Sequence, residues 1–144
     1  TMASAYDFSV VQPNSVVDTF QAAASLVGVS PGVYVKLSAA NTVALATAAT
    51  DNVIGVLGSD VAATGDECAV VTNGPCRVLA GGVVAGTGSS TAGCVMSDSD
   101  GKSVAFSSGG GNRWFARLTE YHSSATTVAG TYYNAIFNAG GSAA

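Results

Sequence analysis

The sequence predicts a mainly β fold: a single small β-barrel or β-sandwich domain with an extended N-terminal arm and at most one short helix. Three observations carry this. Turn signals recur at short intervals, among them Ser30-Pro31-Gly32, Ala40-Asn41, Thr50-Asp51-Asn52, Thr64-Gly65-Asp66, Asn73-Gly74-Pro75, Asp98-Ser99-Asp100-Gly101 and Gly109-Gly110-Gly111-Asn112. The runs between them are short and rich in Val, Ile, Leu, Tyr and Phe, which is how sandwich and barrel strands read. The pattern also repeats within the chain, as a closed β architecture built from two similar halves would require.

The strands expected from these runs are Val33–Leu37, Thr42–Ala46, Ile54–Leu57, Glu67–Thr72, Cys76–Leu79, Gly93–Met96, Ser103–Phe106, Trp114–Leu118 and Thr131–Phe137. Asn73-Gly74 supplies the positive φ values of a two-residue hairpin turn, and Asp100-Gly101 does the same between Met96 and Val104. Residues 15–27 read two ways. Ser15 is a candidate N-cap with Asp18 three residues on, and Val16, Phe20, Ala23 and Val27 would share a helical face, so a short helix and an extended arm both remain open. The expected division is therefore an arm over 1–28, a β domain over 29–138 and a flexible tail over 139–144.

The internal repeat has a definite offset. Val43-Ala44-Leu45 matches Val104-Ala105-Phe106, and Ile54-Gly55-Val56-Leu57 matches Phe115-Ala116-Arg117-Leu118, both 61 residues apart (104 − 43 and 115 − 54). Gly65-Asp66 before Ala69-Val70-Val71 likewise resembles Gly130-Thr131 before Ala135-Ile136-Phe137. Neither half is large enough to bury its apolar face alone, so the halves are expected to pack on each other.

Composition narrows the function classes. Only 10% of the 144 residues are charged and 48% are hydrophobic, with a net charge of −4. Five basic residues, Lys36, Arg77, Lys102, Arg113 and Arg117, make no stripe that could neutralise phosphates, so nucleic acid is not an expected partner. No apolar run approaches the roughly 20 residues of a membrane-spanning helix, and no basic run with an apolar core marks a secretory leader. A surface so poor in charge is expected to be covered in an oligomer or on a larger assembly. Cys68, Cys76 and Cys94 are too few and too oddly numbered for a disulfide framework, and read as buried free thiols.

No constellation for catalysis stands out. His122 is the single histidine, in Tyr121-His122-Ser123-Ser124, and no Gly-x-Ser-x-Gly elbow accompanies it. Asp98-x-Asp100-Gly101 echoes the start of a calcium loop, but its twelfth position is Gly109, where a bidentate carboxylate is needed. A turn in which Asp bonds its own backbone is the expectation there. Three cysteines and one histidine lack a Cys-x-x-Cys pair, so zinc is not expected. The glycine pairs lie in no strand-to-helix context and are not followed by Gly-Lys-Ser/Thr at phosphate-loop spacing, so no phosphate cradle is expected. The expectation is a non-enzyme without cofactor or metal. Trp114, Tyr132 and Tyr133 read as core or interface, with a sugar-stacking platform as the alternative.

Several motifs, in order, resemble a known family. Ile54-Gly55-Val56-Leu57 precedes Ala62-Ala63-Thr64-Gly65-Asp66-Glu67-Cys68-Ala69-Val70-Val71. Ala80-Gly81-Gly82 follows, then Val95-Met96-Ser97-Asp98-Ser99-Asp100-Gly101-Lys102-Ser103-Val104, Ala116-Arg117-Leu118 and a closing strand near Tyr132–Phe137. This succession, over about residues 32–137, resembles the capsid decoration (cement) proteins of tailed phages. The departure is Gly130-Thr131, where that family often has Gly-Asp, and the first thirty residues match no pattern of it. The resemblance implies an all-β homotrimer on the outer capsid surface of a virion. It would be assembled in the host cytoplasm and bound to the major capsid protein at capsomer junctions, with no catalytic residues to carry over. The arm alternates as Tyr6-x-Phe8-x-Val10, so Tyr6, Phe8, Val10 and Val11 are the expected capsid contacts, by strand addition to a capsid sheet or alternatively by pairing within the trimer. A fibre or surface-filament β-module is the alternative assembly role.

His122 reads as a loop residue among hydroxyls. His122→Ala is expected to change unfolding free energy by no more than ~0.5 kcal/mol. A loss of several kcal/mol in denaturant titration would reveal a site there.

Overall fold

Short β-branched runs divided by glycine turns become strands because they fit a pleated, half-buried surface, and the turns set where each one ends. The computed structural model describes residues 10–82, 93–107, 109–119 and 129–142. Among these lie β1 (Val16–Ala22), β2 (Tyr34–Ala39), β3 (Thr42–Leu45), β4 (Val53–Leu57) and β5 (Glu67–Leu79). They are followed by β6 (Cys94–Ser97), β7 (Ser103–Ala105), β8 (Trp114–Leu118) and β9 (Tyr132–Ser142). The helical content described is one 3-10 turn, Ala24–Leu26. The mainly β expectation holds, as a closed five-stranded barrel with extra strands.

The barrel runs β1-β3-β2-β4-β5 and closes because β1 also pairs with β5. β1 lies parallel to β3 through Gln21↔Thr42 and Ala22↔Val43, and antiparallel to β5 from Val17↔Val71 to Gln21↔Glu67. The extra strands repeat this order. The second half of β5 pairs with β9, then come β8, β6 and β7, and a parallel bridge from Ala80 to Ser103 brings β7 back to the end of β5. In this second ring the C-terminal half of β5 plays the part that β1 plays in the first.

Individual hydrogen bonds make the correspondence concrete. Ala22 N donates to Asp66 O (2.9 Å) while its carbonyl accepts from Gly65 N (2.8 Å), and Ala80 N donates to Thr131 O (3.0 Å) while its carbonyl accepts from Gly130 N (2.8 Å). Ala46 N to Tyr34 O (3.0 Å) is matched by Phe106 N to Cys94 O (3.1 Å). Leu57 N to Val33 O is matched by Leu118 N to Gly93 O, both 2.9 Å. The repeat is therefore real in topology, with one correction to its alignment. Val35 pairs with Leu45 as Val95 pairs with Ala105, so Val43 corresponds to Ser103, not Val104. A one-residue slip matters because it exchanges the two faces of a strand.

One open alternative is settled and three further expectations change. Residues 16–22 are a strand, not a helix, because they close the barrel between β3 and β5, and Ser15 Oγ donates to Gln12 O (2.7 Å) without capping anything. Residues 10–28 consequently belong to the β body rather than to a separate arm. Asn73-Gly74 does not reverse the chain. Gly74 takes φ +96° inside an unbroken thirteen-residue strand, because the two halves of β5 pair with different partners and not with each other. The tail is shorter than expected, since β9 runs on to Ser142, whose register partner is Trp114. The Asp98–Gly101 turn is as expected. Asp98 Oδ1 accepts from Asp100 N (2.8 Å) and Lys102 N (2.9 Å), and Met96 pairs with Val104.

Two apolar clusters follow the two rings. Ala22, Leu26, Val33, Val35, Val43, Leu57, Cys68 and Val70 fill the barrel. Tyr34, Val56 and Val71 point the other way along the same strands, and pack with Val10, Val78, Val95, Phe115 and Phe137 of the second half. Gly55 faces Val70 and Val71 so closely that a Cβ there would lie 2.6 Å from Val71 O, whereas its counterpart Ala116 fits, fully buried. Gly101 has φ +73°, and its carbonyl accepts from Tyr34 N (2.7 Å), docking the β6–β7 turn on the barrel.

Tyr34 ties the halves together. Its ring lies 6.2 Å from that of Phe137, which stacks on Phe115 at 6.2 Å. Its fully buried hydroxyl accepts from Ser103 Oγ at 2.9 Å. Burial holds the phenol well above its ordinary pKa, and the Ser103 bond only partly offsets that. Tyr34→Phe is expected to cost about 1–3 kcal/mol, because it leaves a buried serine hydroxyl without its acceptor. Adding Ser103→Ala should recover part of that loss in a double-mutant cycle read by urea unfolding.

Candidate binding surfaces

Alternation along the strands decides what faces outward. On β8, Ala116 and Leu118 are buried while Arg117 between them is exposed. On β9, Ala135 and Phe137 are buried while Ile136 is 53% exposed. Register places Pro75, Ile136 and Arg117 side by side across β5, β9 and β8. Arg77 Nε donates to Asn134 Oδ1 (3.1 Å) one step along, and Arg117 lies 5.5 Å from the Trp114 ring centre. The result is an outward sheet face with an apolar centre and two guanidinium groups at its margin. It corresponds to the barrel face that the second half covers, since Arg117 stands where Val56 does and Ile136 where Val71 does. In sequence only Ala116-Arg117-Leu118 alternates, and Ala135-Ile136-Phe137 is apolar throughout, so the register rather than a local pattern identifies this face.

A cleft of about 280 Å³ opens at the seam between the halves. Val29, Val33, Leu45 and Leu79 form its apolar wall, and Ser30, Asp100 and Lys102 stand at its rim. Tyr132 donates its hydroxyl proton to Pro31 O (2.6 Å), holding the 29–33 loop against the second half.

The expected site residues fall as follows. Val10 and Val11 are buried, 0% and 7% exposed, in this chain's own core. Val11 bridges Cys76, and Val10 O accepts from Arg77 N at 3.0 Å. This corrects their assignment as capsid contacts. Two apolar side chains at the edge of β5 gain more from the space between the rings than from solvent. Tyr6, Phe8 and His122 lie outside the described residues. Trp114 on β8 pairs with Ser142 at the far end of β9 from Tyr132, whose register partner is Leu79, so the two form no shared platform. Among the described residues no three His, Cys, Asp or Glu side chains gather as a metal set. Cys68, Cys76 and Cys94 are free and buried. Burial pushes the Cys68 thiol up to about 11 and the Cys76 thiol up to about 12, the opposite of a reactive thiolate.

One acidic group organises a loop. Asp51 Oδ2 accepts from Thr47 N (2.8 Å), Ala48 N (3.1 Å) and Lys36 Nζ (3.0 Å). Partial burial works against its charge, but the Thr47, Lys36 and Ala48 bonds outweigh it and hold the carboxyl below its ordinary value. A scan against protein-family models and a search of curated proteins each find no match to this chain.

A depressed carboxyl stabilises the fold at pH values above the ordinary aspartate value of ~3.9, and that contribution fades as pH falls through the lower folded value. Thermal melting between pH 7 and pH 2 should therefore show a loss of Tm below about pH 4. Asp51→Asn should lower Tm at pH 7 and flatten the acid limb. An unchanged acid limb would show that other carboxylates carry it.

Proposed function

We propose that this chain is a non-enzymatic capsid decoration protein, a trimer that binds the outer surface of a phage head and holds neighbouring capsid subunits together. The observation that carries the reading is the order of the short motifs from Ile54 to Phe137, which resembles that of cement proteins. Three features support it. The motifs fall on successive strands of two interlocked rings, which make a stiff body. With charged residues at 10%, few long side chains lose freedom on docking. The Pro75, Ile136 and Arg117 face offers an apolar centre with a polar margin, the anatomy of a contact surface. Weak contacts of this kind multiply through symmetry, because linked sites gain from effective concentration.

Co-sedimentation of purified protein with intact expanded heads of the source phage tests the reading. Saturable binding in multiples of three per capsomer junction is expected, with heads that resist heating better once coated. Arg117→Glu with Ile136→Asp should weaken binding at least tenfold and leave the circular dichroism unchanged. Failure to bind expanded heads, or growth into filaments in isolation, would overturn the proposal.

A further inference from the structure

The two rings differ in how one backbone edge is covered. In the second ring the outward edge of β5 is occupied: Leu79 N donates to Gly32 O and Arg77 N to Val10 O, both at 3.0 Å. Val11 thus forms an isolated antiparallel bridge beside Cys76. The corresponding edge of the first ring is β1. Register relates Ala22 to Ala80, Gln21 to Leu79 and Thr19 to Arg77. Gln21 N donates to Asn41 O at 2.8 Å, matching Leu79. Thr19, two residues earlier and turned the same way, has no counterpart of Val10 among the described residues. Its backbone N–H and carbonyl point away from β5 into an open groove of about 240 Å³ lined by Thr19, Phe20, Gln21, Asn41 and Glu67. Val16, at the start of the same edge, is 52% exposed.

We infer that the β1 edge at Thr19 is a strand-acceptor site, and that its occupant is the N-terminal segment of a second copy of this chain. The fold itself shows what such an edge takes, because the matching edge holds Val10 and Val11, the residues directly after that segment. In sequence, residues 1–9 continue that segment with Tyr6-x-Phe8, the period-two apolar spacing of strands that add to a sheet edge. A second copy is the natural source because Val10 is fixed beside Arg77. That is eight residues along β5 from Ala69, the partner of Thr19, or roughly 26 Å at ~3.3 Å per residue. The same chain would have to double back over that distance. Main-chain bonds from Thr19 would join the copies, and the exchange would leave a small closed oligomer or an open chain according to the rotation between them. The inference shares with the capsid reading only the self-association of the chain: failure to bind heads leaves it standing, and an oligomer that survives loss of residues 1–9 overturns it while leaving the capsid reading standing.

The test combines sedimentation velocity with amide hydrogen exchange on three proteins: the full chain, a variant lacking residues 1–9, and Thr19→Pro. The deletion stops before Val10 and keeps the core intact. Proline at 19 removes only an N–H that β1 does not donate to β5. The full chain should be an oligomer with a protected Thr19 amide. Deletion should give a folded monomer in which the Thr19 amide exchanges at least tenfold faster while Arg77 stays protected. A peptide of residues 1–9 added to that variant should restore Thr19 protection. Thr19→Pro should lose the oligomer with unchanged circular dichroism. If Thr19→Pro fails to fold, the deletion and peptide measurements decide alone. A monomeric full chain, whether Thr19 is protected by its own segment or not at all, overturns the inference. So does an oligomer that survives removal of residues 1–9.

Discussion

Everything in this fold hangs on β5 being one strand with two sets of neighbours. Its first half pairs with β1, as far as Asn73, and with β4, and completes the barrel. Its second half, from Asn73, pairs with β9 and opens the second ring. Strands this long twist and coil, so the rings are set at a fixed rotation about a shared axis member. Neither ring can shift register without breaking the other's ladder. Gly74 is where this is accommodated. A Cβ there would lie 3.2 Å from Asn14 O and from Ser15 Cα, so a bare backbone lets the 12–15 turn press against the strand as it bends.

The interface between the rings is then filled from both sides. Tyr34, Val56 and Val71 project outward from the barrel, and Phe115, Phe137 and Val78 meet them from the second half. In an isolated barrel those outward residues would be solvent-exposed apolar groups, so each ring supplies the other's missing cover. One polar contact, Ser103 Oγ to Tyr34 Oη, is buried in that otherwise apolar layer. Its directionality fixes one mutual arrangement where dispersion alone would tolerate several. The glycine carbonyl of the β6–β7 turn, bonded to Tyr34 N, repeats the constraint a few ångströms away.

The second ring has not kept every apolar position of the first. Arg117 replaces the equivalent of Val56, and Ser103 that of Val43. The first change turns a face that is core in one ring into surface in the other. The second turns a core valine into the hydroxyl that anchors Tyr34. A doubled fold thus acquires an inside, an outside and a contact surface by substitution at matched positions, without any new element. The same logic makes the unmatched edge of β1 conspicuous, because it differs from its counterpart by an absence rather than by a substitution.

The sequence by itself determined what depends on near neighbours along the chain. Turn chemistry placed the Asp98–Gly101 hairpin, where one carboxylate satisfies two amides within four residues. Alternation marked the strand runs, and low charge with three apolar-flanked cysteines marked a buried, thiol-bearing core. Self-similarity over 54–57 and 115–118 announced two halves. Tertiary structure decided the rest. Val16–Ala22 carries both a helical stripe and strand-forming residues, and the gap between β3 and β5 selected the strand. Asn73-Gly74 has hairpin chemistry, yet no hairpin forms, because β1 and β9 take the pairing of its flanks. Val10 and Val11 look like an unpartnered strand in sequence, and only the space beside β5 makes them core. Local periodicity fixes which residues share a face. Which neighbour covers that face is a property of contacts distant in sequence, and no local pattern records it.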